Sequence, residues 1–342
     1  MNKLLVNKPY VTVFMAVFNG EKYIKDAIES VLNQNFTDFE LLIVNDGSTD
    51  GTLNLIAEFK DPRIRLLHND GNKGLTFTRN HGLAEAKGKY FAILDSDDIA
   101  MPNRLKTQVD FMNANPKIAI CGGQAKFIDG ADKEITGYKV PVGDNLSHQL
   151  SLYNVFINST LMMKTDAIRE VGGYREVAPA EDYDLSFRIA LKNQVANLND
   201  KLVAYREHGN NISKVQTEKL KNCLTHIIAS IHSSLSIPFE KKNILIHQNI
   251  LNSDFAYTDS SEFGLLLSVL KVSNDQNKIY DQKLFTNFLF ETWFKILREK
   301  KEKKILQLYF KKPLFDWSFV TFKHVRKVAK QAFFMNMPFS KN

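Results

Sequence analysis

Cysteine is nearly absent from the 342 residues: two occur, Cys121 and Cys223, far apart in the chain. That excludes a disulfide-stapled secreted scaffold and fits a reducing compartment. Long hydrophobic runs are missing too. No window reaches the roughly 18 to 20 apolar residues of a membrane-spanning helix, the best candidate being Phe263–Leu270, so membrane contact is expected to be peripheral. Met1–Tyr10 has two lysines around a short Leu-Leu-Val step, too little for the apolar region of a signal peptide, and a cytoplasmic protein is expected. Glycine-rich phosphate loops are also lacking. The first apolar run passes into Asn19-Gly20-Glu21-Lys22 rather than G-x-G-x-x-G, which argues against an NAD-dependent dehydrogenase. The glycine- and arginine-rich loop of a sugar nucleotidyltransferase is absent from the same place, and no G-x-x-x-x-G-K-[ST] exists for a P-loop NTPase. Internal repeats and low-complexity tracts are absent.

What is present is a globular composition, with 44% hydrophobic, 11% aromatic and 24% charged residues. The length predicts a large catalytic domain plus a smaller appendage. The formal charge of +7 is uneven: Glu291–Asn342 holds thirteen Lys and Arg against four acids, leaving −2 for the rest. An acidic partner is therefore expected at the C-terminal end.

Up to about Ser213 the pattern is α/β. Apolar runs at Val11–Phe18, Phe39–Val44, Ile64–His68 and Tyr90–Leu94 alternate with helix-period segments at Glu21–Asn33, Thr52–Phe59 and Thr76–Ala86, which predicts a mainly parallel, Rossmann-like sheet with crossover helices. A helix is expected at Asn103–Ala114, extended chain at Ile118–Ile128, a helix at Glu181–Leu191 and a late strand at Val195–Arg206. Beyond this the texture becomes long, glycine-poor and amphipathic, as in Glu218–Leu235 and Leu284–Lys304. Two domains are expected, 1–214 and a helical, basic 215–342.

Three carboxylates, in Asp95-Ser96-Asp97-Asp98, directly follow the strand Tyr-Phe-Ala-Ile-Leu. Crowding them is costly without a counter-charge, and a divalent Mg or Mn ion, which prefers oxygen ligands and leaves positions for phosphates, supplies one; the alternative is an acidic loop that caps the helix at Asn103. After the second strand, Asn45-Asp46-Gly47-Ser48-Thr49-Asp50-Gly51 places Asp46 to accept hydrogen bonds from a base or ribose, or to serve as a turn, with Ser48 or Asp50 capping the next helix. Arg79 would reach a base or diphosphate, or lie on the surface. Glu181-Asp182-Tyr183-Asp184 opens a helix, where carboxylates are favoured in any case; the bend Val171-Gly172-Gly173-Tyr174 would bring that helix start to the sheet edge.

Taken together, the segments Phe14-Met15-Ala16-Val17-Phe18-Asn19, Ile43–Asp50, Asn72-Lys73-Gly74 with Thr78-Arg79-Asn80, Leu94–Asp98, Gly172-Gly173-Tyr174, Glu181–Leu185 and Tyr205-Arg206-Glu207-His208 resemble the family-2 inverting glycosyltransferases of GT-A fold. The resemblance spans roughly Tyr10–Ser213. It implies that Ala16, Phe18, Asp46 and Arg79 line a nucleotide pocket. Asp95 and Asp97, with Ser96 between them, would form the D-x-D segment at metal and diphosphate. His208 would approach the metal, and Asp182 would be the general base. Ala16 stands where a hydroxyl residue is common and Asn45 where a second Asp is common, so the donor stays open among UDP-, dTDP- and GDP-sugars, UDP first. The expected partners are a nucleotide-sugar donor, a glycan or lipid-linked acceptor of a surface polysaccharide pathway, and the anionic inner face of the cell membrane, with no nucleic acid. The rival reading is a non-catalytic, membrane-associated scaffold built on a decayed transferase domain.

Overall fold

The computed structural model describes residues 8–208, 217–256 and 258–335. These divide into two compact units. The first runs to Leu150 and resumes over Asn154–Cys223; the second takes Ser151–Tyr153 and the chain from Leu224 onward. The expected boundary at 214/215 lies outside the described residues.

The first unit begins β1 (Val11–Val17), α1 (Ile24–Leu32), β2 (Phe39–Asn45), α2 (Thr52–Glu58), β3 (Ile64–His68), α3 (Leu75–Glu85) and β4 (Tyr90–Ile93). β2 is buried along its whole length, as its unbroken apolar run requires of a parallel strand covered on both faces. α1 buries Ile24, Ala27, Ile28 and Val31, one stripe at helical spacing. It starts three residues later than its periodicity predicts. Asn19 has a positive φ of 52°, and the backbone N–H groups of Gly20 and Glu21 donate to Thr52 Oγ1 and Asp50 Oδ2 instead of opening a helix.

The chain continues through β5 (Ile99–Ala100), α4 (Arg104–Ala114), β6 (Ile118–Asp129), β7 (Met162–Lys164), α5 (Thr165–Glu170), α6 (Glu181–Ala190) and β8 (Gln194–Glu207). The eight strands form one sheet in the order β3-β2-β1-β4-β7-β6-β8-β5. Pairing is parallel from β3 to β4 and between β6 and β8, and antiparallel at β4/β7, β6/β7 and β5/β8. The order reverses at β1, flanked by β2 and β4, and a crevice outside the carboxyl ends of strands at such a point is where open α/β sheets take ligands.

The second unit is helical. α7 (Thr217–Ser234) leads into it, followed by α8 (Lys241–Leu251), α9 (Ser260–Asn277), α10 (Gln282–Glu299), α11 (Ile305–Tyr309) and α12 (Phe322–Met335). Its core includes Phe263, Leu267, Phe285, Phe290, Trp293 and Leu297. α9 and α10 are capped by Asp259 and Asp281, whose carboxylates accept from Ser261 N and Leu284 N. α10 stops at Glu299, short of the expected Lys304. Lys301 enters the left-handed region at φ 49°, and Glu302 N bonds back to Leu297 O, closing the helix with a Schellman turn. No described helix is long and apolar enough to cross a membrane.

Candidate active site

The register of the first three central strands assembles the crevice. Val17 pairs with Asn45, so Phe18 and Asp46 leave the sheet side by side. Phe14 pairs with Ile93, so Asp95, two residues on, leaves level with Ala16. Ala16 is half-buried and Phe18 is exposed. The turn after β2 is stitched to the turn after β1: Ser48 Oγ accepts from Asn19 N at 2.9 Å, and Asn19 Oδ1 accepts from Thr49 N at 2.8 Å. Asp50 Oδ1 accepts from Thr52 N at 3.0 Å. Asp50 therefore serves the start of α2 with one oxygen and the turn after β1 with the other, and Ser48 ties the two turns together.

Asp46 is buried, and its carboxylate accepts from Asn69 Nδ2 at 2.8 Å, Lys73 N at 2.8 Å and Gly74 N at 2.9 Å. Most of its accepting capacity thus goes to the loop before α3. The two segments meet backbone to backbone. Gly47 has φ 78°, and a Cβ there would sit 2.6 Å from the Gly71 carbonyl carbon, which leaves no room for a side chain.

The acidic centre lies at the end of β4. Asp95 Oδ2 accepts from Ser159 Oγ at 2.9 Å and from Asn158 Nδ2 at 3.0 Å. Arg79 Nη2 stands 3.7 Å from Asp95 Oδ1. Arg79 is not a surface arginine. It is 4% exposed, its Nη1 pairs with the buried Glu181, and its guanidinium carbon lies 5.5 Å from the centre of the Tyr174 ring. Burial opposes its charge, yet Glu181 and Asp95 hold it above the ordinary arginine range.

Asp97 Oδ2 is 2.8 Å from His208 Nε2, and that imidazole stacks on Tyr23 with ring centres 5.4 Å apart. Burial and then Asp95 push the Asp97 carboxyl upward, against the hydrogen bond and charge of His208. Asp98 is different. It is buried, accepts from Arg206 N at 2.7 Å and anchors the loop to β8, beside the short β5/β8 pairing at Ile99 and Ala204. Its other oxygen has no hydrogen-bond partner, and burial, Asp97 and Asp95 together hold it well above the usual carboxylate range.

Asp182 follows Glu181 at the start of α6. Its half-buried carboxylate accepts from Asn154 Nδ2 at 3.2 Å. Burial first and Glu181 second push it up to about 6, against lowering by Arg79, the Tyr183 N–H and Asn154. The adjacent carboxylates are thus differentiated: Glu181 is consumed in a buried ion pair, and Asp182 is left a weaker acid than an ordinary aspartate.

Residues 12–171 match the family model described as Glycosyl transferase family 2. The O-antigen biosynthesis glycosyltransferase WbnJ of Escherichia coli is 31% identical over 214 residues, covering 60% of this chain and 82% of WbnJ. The chain is a family 2 glycosyltransferase. An uncharacterized glycosyltransferase of Haemophilus influenzae is 29% identical over 296 residues, covering 83% of the transferase and 87% of that relative. TarS of S. aureus, residues 1–349 in complex with UDP-GlcNAc, superposes with a TM-score of 0.57 at 18% identity, covering 95% of the transferase and 90% of that chain. This likeness places the transferase in the GT-A fold.

The structure gathers Arg79, Asp95, Glu181 and Asp182 around one ion-pair network and sets Asp97 with His208. Ser96, half-buried, lies beside the turn after β1: a Cβ added at Gly20 would be 3.6 Å from its Oγ. Among the described residues, no three or more His, Cys, Asp or Glu form a group arranged to hold a metal ion. Asp95, Asp97 and His208 are therefore not a ready-made cage, because His208 Nε2 spends itself on Asp97. The donor chemistry still suits an oxygen-preferring divalent ion. Two partly exposed carboxylates, Asp95 and Asp97, concentrate negative charge, and a Mg or Mn site fills its remaining positions with water and phosphate. Sequence reasoning passed over Asn154, Asn158 and Ser159, which lie in an irregular stretch, and the buried partnership of Glu181, whose position at a helix start already had a sufficient explanation.

Proposed function

We propose that the transferase moves a sugar from a UDP-sugar to a hydroxyl of a glycan or lipid-linked acceptor in surface polysaccharide synthesis, with inversion at the anomeric carbon. In this reading it works at the inner face of the cell membrane. The observation that carries it is the split between neighbouring carboxylates: Glu181 is neutralised by Arg79, while Asp182 forms no ion pair among the described residues and is pushed up to about 6. A base with that value is mostly ionised at pH 7 yet still takes a proton well.

In this mechanism Asp182 accepts the proton of the acceptor hydroxyl as its oxygen attacks, and Asn154 orients the carboxylate. Arg79, fixed by Glu181 and Tyr174, holds Asp95 in place from one side, while Asn158 and Ser159 hold it from the other. Asp46 keeps the loop before α3 closed over the nucleotide side, and Ala16 and Phe18 line that side. Asp95 and Asp97, with His208 behind Asp97, would hold a divalent cation, which when bound offsets the charge of the donor diphosphate.

Calorimetry of UDP binding with and without Mn tests the metal reading. Asp97→Ala is expected to abolish the Mn-dependent part of UDP binding, and unchanged affinity would overturn the assignment. Proton couplings of the product report the anomeric outcome, where retention would exclude single displacement.

A further inference from the structure

The basic C-terminal end separates into an inner and an outer set of aromatics. Trp293, Phe294, Ile296, Leu297 and Phe315 are buried in the second unit's core, so they pack protein and cannot meet lipid. Deleting the chain after Glu291 would take away part of that core and not only a surface. Among the described residues of this end, the exposed large apolar side chains are Leu306, Phe310, Trp317, Phe322, Val325 and Phe333.

α12 carries three of them in an ordered way. At roughly 100° per residue, its inward face holds His324, Val328 and Ala332, all buried. That face is secured: His324 Nε2 lies 3.0 Å from Glu291 and its ring 4.5 Å from that of Phe294. Phe322, Val325, Ala329 and Phe333 form a second stripe facing outward, with Phe322 83% and Phe333 61% exposed. Lys323, Arg326 and Lys330 occupy the next arc round the helix. Residues 303–333 contain eight Lys and Arg against one acid, Asp316. On the same unit Trp317, 71% exposed, lies 5.9 Å from the Phe310 ring.

A helix docked by one face, with an apolar stripe outward and a basic arc beside it, is built to lie in the plane of a membrane interface. The basic arc selects the lipid by charge complementarity. We propose that α12 is the membrane-docking element of this transferase, its Phe322/Val325/Phe333 stripe entering the headgroup boundary and Lys323, Arg326 and Lys330 engaging anionic phospholipid. This rests on the reading of peripheral attachment above and assigns it to one face of one helix.

The test uses the full chain, sedimented with vesicles of phosphatidylcholine alone or with about one-third phosphatidylglycerol. Two variants accompany it: Phe322→Ser/Val325→Ser/Phe333→Ser and Lys323→Gln/Arg326→Gln/Lys330→Gln. All six positions are on the surface, and thermal melting and UDP binding check that each variant is folded. The wild type is expected on anionic vesicles only. Each variant is expected to lose on the order of a hundredfold in partitioning, and the charge variant to lose most of its salt dependence. If the wild type ignores anionic vesicles, the membrane reading itself falls. If it binds and both variants bind equally, attachment stands and the assignment to α12 falls. Equal binding to neutral vesicles would overturn the role of the basic arc. A wild-type dimer in sedimentation velocity that the serine variant abolishes would assign the stripe to a second copy of the chain instead.

Discussion

Asp182→Asn separates two consequences of one buried charge. A carboxyl moved from 3.8 to about 6 carries about 3 kcal/mol of unfavourable ionisation in the folded state. Asp182 is half-buried and keeps part of its hydration, so about 1–2 kcal/mol is the expected relief on replacement by a neutral amide of the same shape. The sign follows from the direction of the shift. The folded value exceeds the unfolded one, so the wild type pays nothing below about pH 4, progressively more as pH rises to about 6, and the full amount above it. The variant should therefore melt about 2–8 °C above wild type at pH 7.5, with the gain vanishing near pH 4. Turnover should fall by roughly two to four orders of magnitude while UDP affinity is kept. The wild-type rate should rise with pH through about 6. Differential scanning calorimetry across pH and a nucleotide-release assay read both. Near-normal turnover would remove Asp182 as the base, and an unchanged or lower Tm at pH 7.5 would refute the burial argument.

Two further outcomes follow from the network and the loop contact. Arg79→Met leaves Glu181 buried without its cation and should cost about 3–5 kcal/mol, whereas Arg79→Met/Glu181→Leu should recover most of that by chemical denaturation while staying inactive; no recovery would mean that Arg79 acts mainly through other contacts. Gly47→Ala forces a Cβ against Gly71 and should cost at least about 1–2 kcal/mol and raise the donor KM several-fold, and a variant with wild-type Tm and KM would show that the two loops do not need their close approach.

The parallel half of the sheet was legible because buried strands read as continuous apolar runs, as Phe39–Asn45 does. β5 and β7 were not. Two and three residues, Ile99–Ala100 and Met162–Lys164, are too few for a periodicity, and only their partners in β8, β4 and β6 define them. Ser151–Tyr153 joins the second unit although nothing in its composition differs from its neighbours. In the site, Asp95, Asp97 and Asp182 were marked by their place at a strand end or helix start. The burial of Arg79 was hidden, since its helix has little amphipathic contrast and the sequence could not say what lay above it. In the basic C-terminal end only packing divides Trp293, buried, from Trp317, exposed.

Glu181 and Asp182 are joined by a single peptide bond, and consecutive Cα atoms are about 3.8 Å apart. The first is lashed through Arg79 to Asp95; in the proposed reaction Asp95 lies on the donor side and Asp182 faces the nucleophile. In that reaction the gap between proton acceptor and leaving group is set by one peptide bond and two ion pairs, and not by loop closure. Such a molecule has little freedom to admit a new acceptor by sliding its base. A change of acceptor would have to come from the walls, above all the irregular stretch that contains Asn154 and Asn158, while the α6 start behaves as a fixed ruler.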